Sequence, residues 1–290
     1  MSLRAWILAA RPKTLSAAAA PVIVGAAAAA GEGSFHLWPA LLALAGAGAI
    51  QVATNFFNDA LDHQKGADTE ERLGPVRVTQ SGMIPPGRVM RAGFLAMGIA
   101  LLCGIPLVIR GGVPILVLGL ISLLLGYAYT GGPLPLAYKG LGEVFVFLFF
   151  GLAAVCGVYY LETTRLSPAA FLAGAQVGLL ATALLAVNNL RDHEEDRRTG
   201  KLTLAARFGL TFGRFEIAAL TLAPYPLGLL WLLQGRNAAA LLPIFTLPLA
   251  LHVTSAVFRR PPSRAYNQVL ARTAALQLTF SLLLSAGLVF

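Results

Sequence analysis

The chain has 290 residues, of which 57% are hydrophobic and only 12% are charged, with a formal net charge of +9. A soluble domain carries roughly one quarter charged residues, so this composition excludes an ordinary soluble protein and indicates an integral membrane protein. The positive charge does not indicate a nucleic-acid partner, because the cations are distributed as membrane topology requires.

Nine apolar segments are long enough to cross a bilayer, whose hydrocarbon core of ~30 Å needs about 20 helical residues. In chain order, the predicted spans cover residues 15–30, 38–58, 89–109, 113–129, 141–161, 169–190, 215–233, 238–258 and 269–290. The alternating pattern of a transmembrane barrel is missing from the sequence. We therefore predict an all-α membrane protein in which residues 1–290 form a single domain in the lipid bilayer.

The cations divide unevenly between the two ends of these spans. One side holds the N-terminus and the connections after the second, fourth, sixth and eighth spans, and it carries all but three of the 22 lysines and arginines. The exceptions are Arg110, Arg165 and Arg236. Because cytoplasmic connections are enriched in Lys and Arg, we expect the N-terminus to be cytoplasmic and, with nine spans, the C-terminus to be outside.

Two acidic clusters follow the second and sixth predicted spans. Together they hold all five aspartates of the chain, which are Asp59, Asp62 and Asp68 in the first cluster and Asp192 and Asp196 in the second. Each cluster begins near the end of an even-numbered span, and four spans separate the two. This spacing suggests an internal repeat whose two copies meet at a shared site.

The chemistry of the clusters favours a metal-assisted reaction on a phosphorylated substrate. Asp192 and Asp196 are four residues apart, so they lie on one face of a helix. Oxygen ligands at a helix end suit Mg²⁺, which commonly bridges carboxylates to substrate phosphates. Interleaved cations suit phosphate oxygens, and in a membrane protein this combination indicates a lipid diphosphate substrate. These cations include Lys65, Arg72, Arg191 and Lys201.

Other functions account for parts of this pattern. The clusters could be solvated loops whose charges only mark the cytoplasmic side, but two matched clusters that hold every aspartate argue against this. A secondary transporter would place its charges near the bilayer midplane, whereas these carboxylates lie at the ends of spans. A scaffold that presents basic loops to anionic lipids gives no reason for evenly spaced carboxylates.

The clusters also resemble a known family. The two signature motifs of the UbiA superfamily of intramembrane prenyltransferases are similar to the segments Asn58-Asp59-x-x-Asp62 and Asp192-x-x-x-Asp196-x-x-x-Gly200-Lys201. Segments 74–82, 129–133 and 188–192 resemble the branch that prenylates 1,4-dihydroxy-2-naphthoate in menaquinone synthesis. The resemblance implies nine helices around a central cavity, with a cytoplasmic cap of motif-bearing loops, in the bacterial cytoplasmic membrane.

The reaction implied is transfer of a polyprenyl group from polyprenyl diphosphate to the naphthoate, with loss of diphosphate and CO₂. Another aromatic acceptor, such as 4-hydroxybenzoate, is the alternative within the superfamily. In other branches an aspartate stands four residues after Asp62. Here that position is Gly66, and Asp68 lies two residues further on.

The resemblance further implies roles for particular residues. Mg²⁺ is expected on Asn58, Asp62, Asp68, Asp192 and Asp196. The residues expected to be catalytic are Asp59, Asp62, Asp192 and Asp196. The diphosphate is expected on Lys65, Arg72, Arg191 and Lys201. The aromatic acceptor is expected on Arg77, Gln80, Tyr129, Asn188 and Asn189.

The two arginines after the first motif receive different expected roles. Arg72 lies four residues after Asp68, in register with the first cluster, so we assign it to the diphosphate. Arg77 lies within segment 74–82, which resembles the naphthoate branch. Because a planar guanidinium matches a carboxylate, we assign Arg77 to the carboxylate of the acceptor.

Overall fold

A computed structural model of the chain describes residues 2–68 and 72–290. Every regular element in these ranges is helical, which confirms the predicted all-α class. The main helices are α1 (Leu3–Ala10), α2 (Leu15–Ala30), α3 (Leu37–Gln64), α4 (Pro86–Ala128), α5 (Gly142–Thr163), α6 (Pro168–Arg198), α7 (Leu204–Leu233), α8 (Asn237–Arg259) and α9 (Tyr266–Val289). Their length and apolar composition are those of a multi-pass membrane protein.

Within the described ranges, eight helical segments are long and apolar enough to span a membrane, rather than the nine predicted. The difference lies in α4, whose 43 residues contain the third and fourth predicted spans. The ring centroids of Phe94 and Tyr127 lie only 6.0 Å apart, which shows that this helix turns back on itself. A straight helix would separate those residues by ~50 Å. The two predicted spans are therefore the two arms of a hairpin.

The turn of this hairpin is made by Gly112, whose φ of 66° and ψ of −152° are non-helical. Glycine adopts a positive φ without the steric cost that a Cβ atom imposes. Pro114 follows in the first turn of the second arm, where a missing N–H removes no hydrogen bond of the helix. Because the turn is this short, no loop separates the two arms.

Helix α5 packs closely against α6 through a glycine in a π-helical segment. Residues Phe147–Ala153 of α5 are π-helical, a form that is rare and concentrated at functional sites. Gly151 in this segment packs on the backbone of α6, where an added Cβ would lie 2.5 Å from the Cα of Gly178. Small residues allow membrane helices this close approach. This close packing holds in place the residues of α5 that line the central cavity.

Helix α6 is the most buried of the membrane spans, with 72% of its most apolar 18-residue stretch inside the protein. It packs among α2, α5 and α9 through small and β-branched side chains such as Ala173 and Val177. Its C-terminal end carries the second acidic cluster, and the C-terminal end of α3 carries the first. The fold therefore brings both clusters to the same end of the bundle.

The N-terminal segment is tied to the same end. The side-chain amide of Asn55 in α3 donates to the carbonyl oxygen of Ala10 at 3.0 Å and to Thr14 Oγ1 at 2.9 Å. Between these contacts, Arg11 adopts a left-handed conformation with φ of 49°. This conformation ends α1 and places Arg11 on the wall of the cavity described next.

Candidate active site

The two acidic clusters face each other across one end of a cavity of about 870 Å³. Arg72 Nη2 lies 4.0 Å from Asp192 Oδ2, and Lys201 Nζ lies 3.8 Å from Asp62 Oδ2. Each cluster thus supplies a cation to a carboxylate of the other. Charges that are far apart in sequence form one continuous polar surface at the mouth of an otherwise apolar cavity.

Most residues that the sequence singled out lie on the wall of this cavity. They are Asn58, Asp62, Asp68, Arg72, Arg77, Tyr129, Asn188, Asn189, Asp192, Asp196 and Lys201. Four others lie off the wall, and these are Asp59, Lys65, Gln80 and Arg191. The residues on the wall can therefore touch a substrate, whereas the four residues off the wall can only position other side chains.

Asp59 holds a loop and does not face the cavity. Its carboxylate accepts hydrogen bonds from the backbone N–H groups of Val78 at 3.1 Å and Thr79 at 2.9 Å, and also from the Thr79 hydroxyl. Only 1% of Asp59 is exposed. We expected a catalytic role, but these contacts favour a positioning role, in which Asp59 fixes the loop that carries Arg77. Gln80, which follows Thr79 in this loop, is half-buried and lies off the cavity wall.

Asp62 is the carboxylate of the first motif that reaches the cavity. Its Oδ1 accepts a hydrogen bond of 2.8 Å from the hydroxyl of Tyr138, and its Oδ2 accepts one of 3.1 Å from Arg77 Nη2. Lys65 Nζ lies 4.3 Å and Lys201 Nζ 5.7 Å from the centroid of the Tyr138 ring. Burial and the nearby Asp62 raise the pKa of Tyr138, so its hydroxyl stays protonated and donates.

Asp68 is shared by two arginines. Arg72 donates to its Oδ1, and Arg77 Nε lies 3.3 Å from the same oxygen. The other oxygen, Oδ2, is buried and has no hydrogen-bonding partner among the described residues. Burial raises the pKa of Asp68 to about 6, although the adjacent Arg72 opposes the shift. The different roles that we expected for Arg72 and Arg77 are thus not evident from their contacts with Asp68.

Arg191 organises the second cluster from behind the cavity wall. Its guanidinium donates to both carboxylate oxygens of Asp192, at 2.7 and 2.6 Å, and to the side-chain oxygens of Asn267 at 2.7 Å and Asn188 at 2.8 Å. The amide of Asn267 donates in turn to the carbonyl oxygen of Leu73 at 3.0 Å. Arg191 therefore orients Asp192 while joining α6, α9 and the loop after the first cluster.

Asp196 is as buried as Asp192 but its carboxylate has fewer hydrogen-bonding partners. Its Oδ2 accepts a long hydrogen bond of 3.4 Å from the hydroxyl of Thr203, and its backbone oxygen accepts from the Lys201 N–H at 2.8 Å. The side chain lies on the cavity wall and is 7% exposed. Because Asp196 is not enclosed by arginines as Asp192 is, its carboxylate is available to an incoming cation.

The donor set fits a metal ion that arrives with its substrate. Among the described residues, no three His, Cys, Asp or Glu side chains are close enough to form a metal cage by themselves. Mg²⁺ does not require such a cage, because one or two carboxylates, waters and substrate phosphates usually complete its shell. Oδ2 of Asp68, which has no hydrogen-bonding partner within residues 2–68 and 72–290, and the carboxylate of Asp196 on the cavity wall are oxygen ligands of that kind.

The structure adds polar residues to which the sequence analysis gave no role. Tyr138 donates to Asp62, Asn267 accepts from Arg191, and Arg11 lies on the cavity wall. All three lie far in sequence from both clusters. Glu143, which is 5% exposed, accepts a 2.7 Å hydrogen bond from the side-chain amide of Asn189 and so fixes that amide on the cavity wall. The one available signal was the position of Tyr138 next to Lys139 in a cation-bearing connection.

Known proteins with a similar sequence or fold show the protein family of this chain. The model of the UbiA prenyltransferase family matches residues 18–281, so the chain belongs to this family. The solved structure of a UbiA homolog from Archaeoglobus fulgidus bound to GPP and Mg²⁺ has the same fold, with a TM-score of 0.71 at 15% identity, and the match covers 98% of this chain and 99% of that one.

Within the family, two relatives that the chain resembles over nearly its whole length share one name. It is 37% identical to the 1,4-dihydroxy-2-naphthoate octaprenyltransferase of Escherichia coli, over 98% of this chain and 95% of that protein. It is 34% identical to the enzyme of the same name from Mycobacterium tuberculosis, over 100% of this chain and 98% of that protein.

Proposed function

We propose that the chain transfers a polyprenyl group from a polyprenyl diphosphate to 1,4-dihydroxy-2-naphthoate, with release of diphosphate and CO₂, to give the demethylmenaquinone skeleton. The observation that carries the proposal is the cavity, in which two cation-bearing acidic clusters meet at the mouth of an apolar chamber. A lipid diphosphate has the same division between a charged head and an apolar tail. The two relatives described above are named for this naphthoate acceptor.

The polar end suits the diphosphate. Arg72 and Lys201 lie on the cavity wall and would neutralise the charge that develops as the diphosphate leaves. Asp62, Asp192 and Asp196 would hold Mg²⁺, which when bound supplies further positive charge to the leaving group. Asp68 is the candidate for the acid that other branches place at the position of Gly66, because its Oδ2 is buried beside these groups and has no hydrogen-bonding partner in the described part of the chain.

The apolar wall next to the clusters suits the allylic cation that remains when the C–O bond breaks. Phe145 and Phe149 both line the cavity, and their rings stack with centroids 6.2 Å apart. Aromatic faces stabilise a nearby positive charge, and the surrounding apolar side chains limit capture of the cation by water. The electron-rich naphthoate ring would then form the new C–C bond.

The acceptor would bind between the clusters and these aromatic rings. Asn189 is held there by Glu143, and burial raises the pKa of Tyr129 so that its hydroxyl remains a donor. Arg77 remains our candidate for the carboxylate of the acceptor. Its Nη1 is buried without a hydrogen-bonding partner among the described residues, while its Nη2 donates to Asp62.

We place the protein in the bacterial cytoplasmic membrane with the clusters facing the cytoplasm. The support is the charge asymmetry, because the end of the bundle that carries the clusters also carries all but three of the lysines and arginines. A transporter is less consistent with the structure, since the charged groups lie at the mouth of the cavity and not at its middle.

The reaction can be tested directly with the purified protein, Mg²⁺, octaprenyl diphosphate and a panel of aromatic acids, with products identified by mass spectrometry. We expect a prenylated, decarboxylated product from 1,4-dihydroxy-2-naphthoate. Asp62→Asn, Asp192→Asn and Asp196→Asn should each lower turnover by about 100-fold or more, because each removes a charge that holds the metal and the diphosphate. Glu194→Gln, an exposed change on the same helix, is the control and should retain full activity.

Two results would contradict the proposal. One is a product from 4-hydroxybenzoate with none from the naphthoate, which would assign a different acceptor. The other is near-normal turnover in the aspartate variants at matched expression, which would mean that the clusters only mark topology.

The roles of the two arginines can be separated by steady-state kinetics. Arg77→Ala should raise the KM for 1,4-dihydroxy-2-naphthoate about tenfold or more and change the KM for the prenyl donor much less, because it removes the partner of the acceptor carboxylate. Arg72→Ala should show the opposite bias. Equal effects of both variants on both constants would refute this division of roles.

The orientation can be tested by cysteine labelling in intact cells. After Cys103 and Cys156 are replaced by Ser, single cysteines at Arg165 and Arg198 report opposite ends of α6. A membrane-impermeant maleimide should label position 165 and leave position 198 unlabelled until the membrane is permeabilised. The reverse pattern would place the clusters outside and refute the assignment.

A further inference from the structure

A buried carboxylate fixes the orientation of one asparagine on the cavity wall. Glu143, near the start of α5, is 5% exposed, and its Oε1 accepts a hydrogen bond of 2.7 Å from Nδ2 of Asn189 on α6. A carboxylate oxygen pairs with the nitrogen of an amide and not with its oxygen, because the amide oxygen has no proton to donate. The nitrogen of Asn189 therefore faces Glu143, and its oxygen, Oδ1, is left for another partner.

The amide oxygen of Asn189 is open to the cavity. Asn189 lines the cavity, and its Oδ1 accepts no hydrogen bond from the described part of the chain. Its neighbour Asn188 differs, because Oδ1 of Asn188 accepts a hydrogen bond of 2.8 Å from Arg191. The sequence analysis assigned both asparagines to the aromatic acceptor. Of the two, Asn189 is the one whose amide oxygen is not already used by the protein.

The hydroxyl of Tyr129 lies beside this pair. A Cβ added to Gly142, the residue before Glu143, would lie 3.3 Å from the hydroxyl oxygen of Tyr129. Tyr129 also lines the cavity, and within residues 2–68 and 72–290 its hydroxyl has no hydrogen-bonding partner. A phenol hydroxyl donates one hydrogen bond. The cavity wall thus presents a hydrogen-bond donor and a hydrogen-bond acceptor near each other, and both are available to a bound molecule.

These two groups lie one helical turn below the charged end of the cavity. Leu185, Asn189 and Asp192 all line the cavity, and their spacing of four and three residues places them on one face of α6. Asn189 is therefore ~4.5 Å deeper than Asp192 along the helix axis. Leu185 is a further turn down and packs beside Gly142. A molecule with its charged group at the clusters would place its ring among these side chains.

The two hydroxyls of 1,4-dihydroxy-2-naphthoate differ in what they can offer to such a site. The 1-hydroxyl is next to the carboxylate and donates its proton to that carboxylate, as the hydroxyl of salicylate does. The 4-hydroxyl is on the opposite side of the ring, so it lies deeper in the cavity when the carboxylate is at the charged end. A free hydroxyl donates one hydrogen bond and accepts another, which complements Oδ1 of Asn189 and the hydroxyl of Tyr129.

We propose that Asn189 and Tyr129 bind the 4-hydroxyl of the acceptor, with Asn189 accepting and Tyr129 donating, and that Glu143 is the positioning residue that keeps the Asn189 oxygen turned to the cavity. The inference rests on the proposed function, since it takes the naphthoate as the acceptor. The site selects a ring with a free hydroxyl at this position. A methyl ether or a carbonyl oxygen there leaves Oδ1 of Asn189 without a donor.

The test measures dissociation constants by calorimetry in the presence of Mg²⁺ and geranyl thiodiphosphate, so that only the acceptor site is open. The ligands are 1,4-dihydroxy-2-naphthoate and its 4-methyl ether, which keeps the ring and the carboxylate but cannot donate from position 4. We expect the wild type to bind the ether about tenfold more weakly than the naphthoate. In Glu143→Leu the amide of Asn189 is released, and we expect the two ligands to differ by less than about twofold.

Glu162→Leu is the matched control, because it removes another buried carboxylate from the same helix. Glu162 is 3% exposed, lies at the opposite end of α5, and accepts a hydrogen bond of 2.7 Å from the backbone N–H of His36. This variant should keep the wild-type ratio of the two dissociation constants. The same ratio in Glu143→Leu as in the wild type would overturn the proposal, since a gap caused only by the size of the methyl group does not depend on Glu143.

A second measurement exchanges the two partners and needs no leucine in the site. Asn189→Asp sets two carboxylates against each other and should weaken binding of the naphthoate about tenfold or more. In the double variant Glu143→Gln/Asn189→Asp, the new amide donates to the new carboxylate, whose second oxygen again faces the cavity. We expect its affinity to return to within about threefold of the wild type, because the two changes are coupled. A double variant that binds as weakly as Asn189→Asp alone would refute the positioning role.

The wild type separates this proposal from the proposed function. If it binds neither ligand and prenylates no naphthoate, the proposed function fails, and this inference fails with it. If it prenylates the naphthoate but binds the naphthoate and the ether equally, the proposed function stands and the role of Asn189 is overturned.

Discussion

The site depends on arginines that are buried together with carboxylates at the mouth of an apolar cavity. Arg191 shows the constraint most clearly, because its guanidinium donates to both oxygens of Asp192 and to Asn267 on another helix. A buried charge loses its hydration, and only a partner with further hydrogen bonds offsets that loss. The first cluster uses the same solution, in which Arg77 donates to Asp62. The carboxylates are thus oriented before a metal ion or a substrate arrives.

The remainder of the bundle keeps this charged surface at one end and an apolar chamber below it. Glycines allow α5 and α6 to approach closely, as the contact of Gly151 with the Gly178 backbone shows. The π-helical segment of α5 and the turned-back helix α4 then supply walls on two sides of the cavity. A charged head at the membrane surface and an apolar tail at membrane depth are the two properties of a polyprenyl diphosphate. The polarity of the cavity therefore explains the substrate class.

The sequence predicted the helical class and the two clusters, because hydrophobic length and charge are local properties of the chain. It did not predict how neighbouring residues divide their tasks. Asp59 and Asp62 are three residues apart on one helix, yet one binds the loop backbone and the other lines the cavity. Tyr138 was missed because its partners are distant in sequence. The turn at Gly112 joined two predicted spans into one element, since a glycine with a positive φ reverses a helix without a loop.

The central claim is that the two clusters form one site for one diphosphate. Calorimetric titration with a non-hydrolysable geranyl thiodiphosphate and Mg²⁺ tests it most directly, in the wild type, Asp62→Asn, Asp192→Asn and the double variant. For a shared site, each single change should weaken binding strongly and the double variant should bind about as weakly as the single variants, because the losses are coupled. Additive losses of free energy, or unchanged affinity in either single variant, would contradict the account.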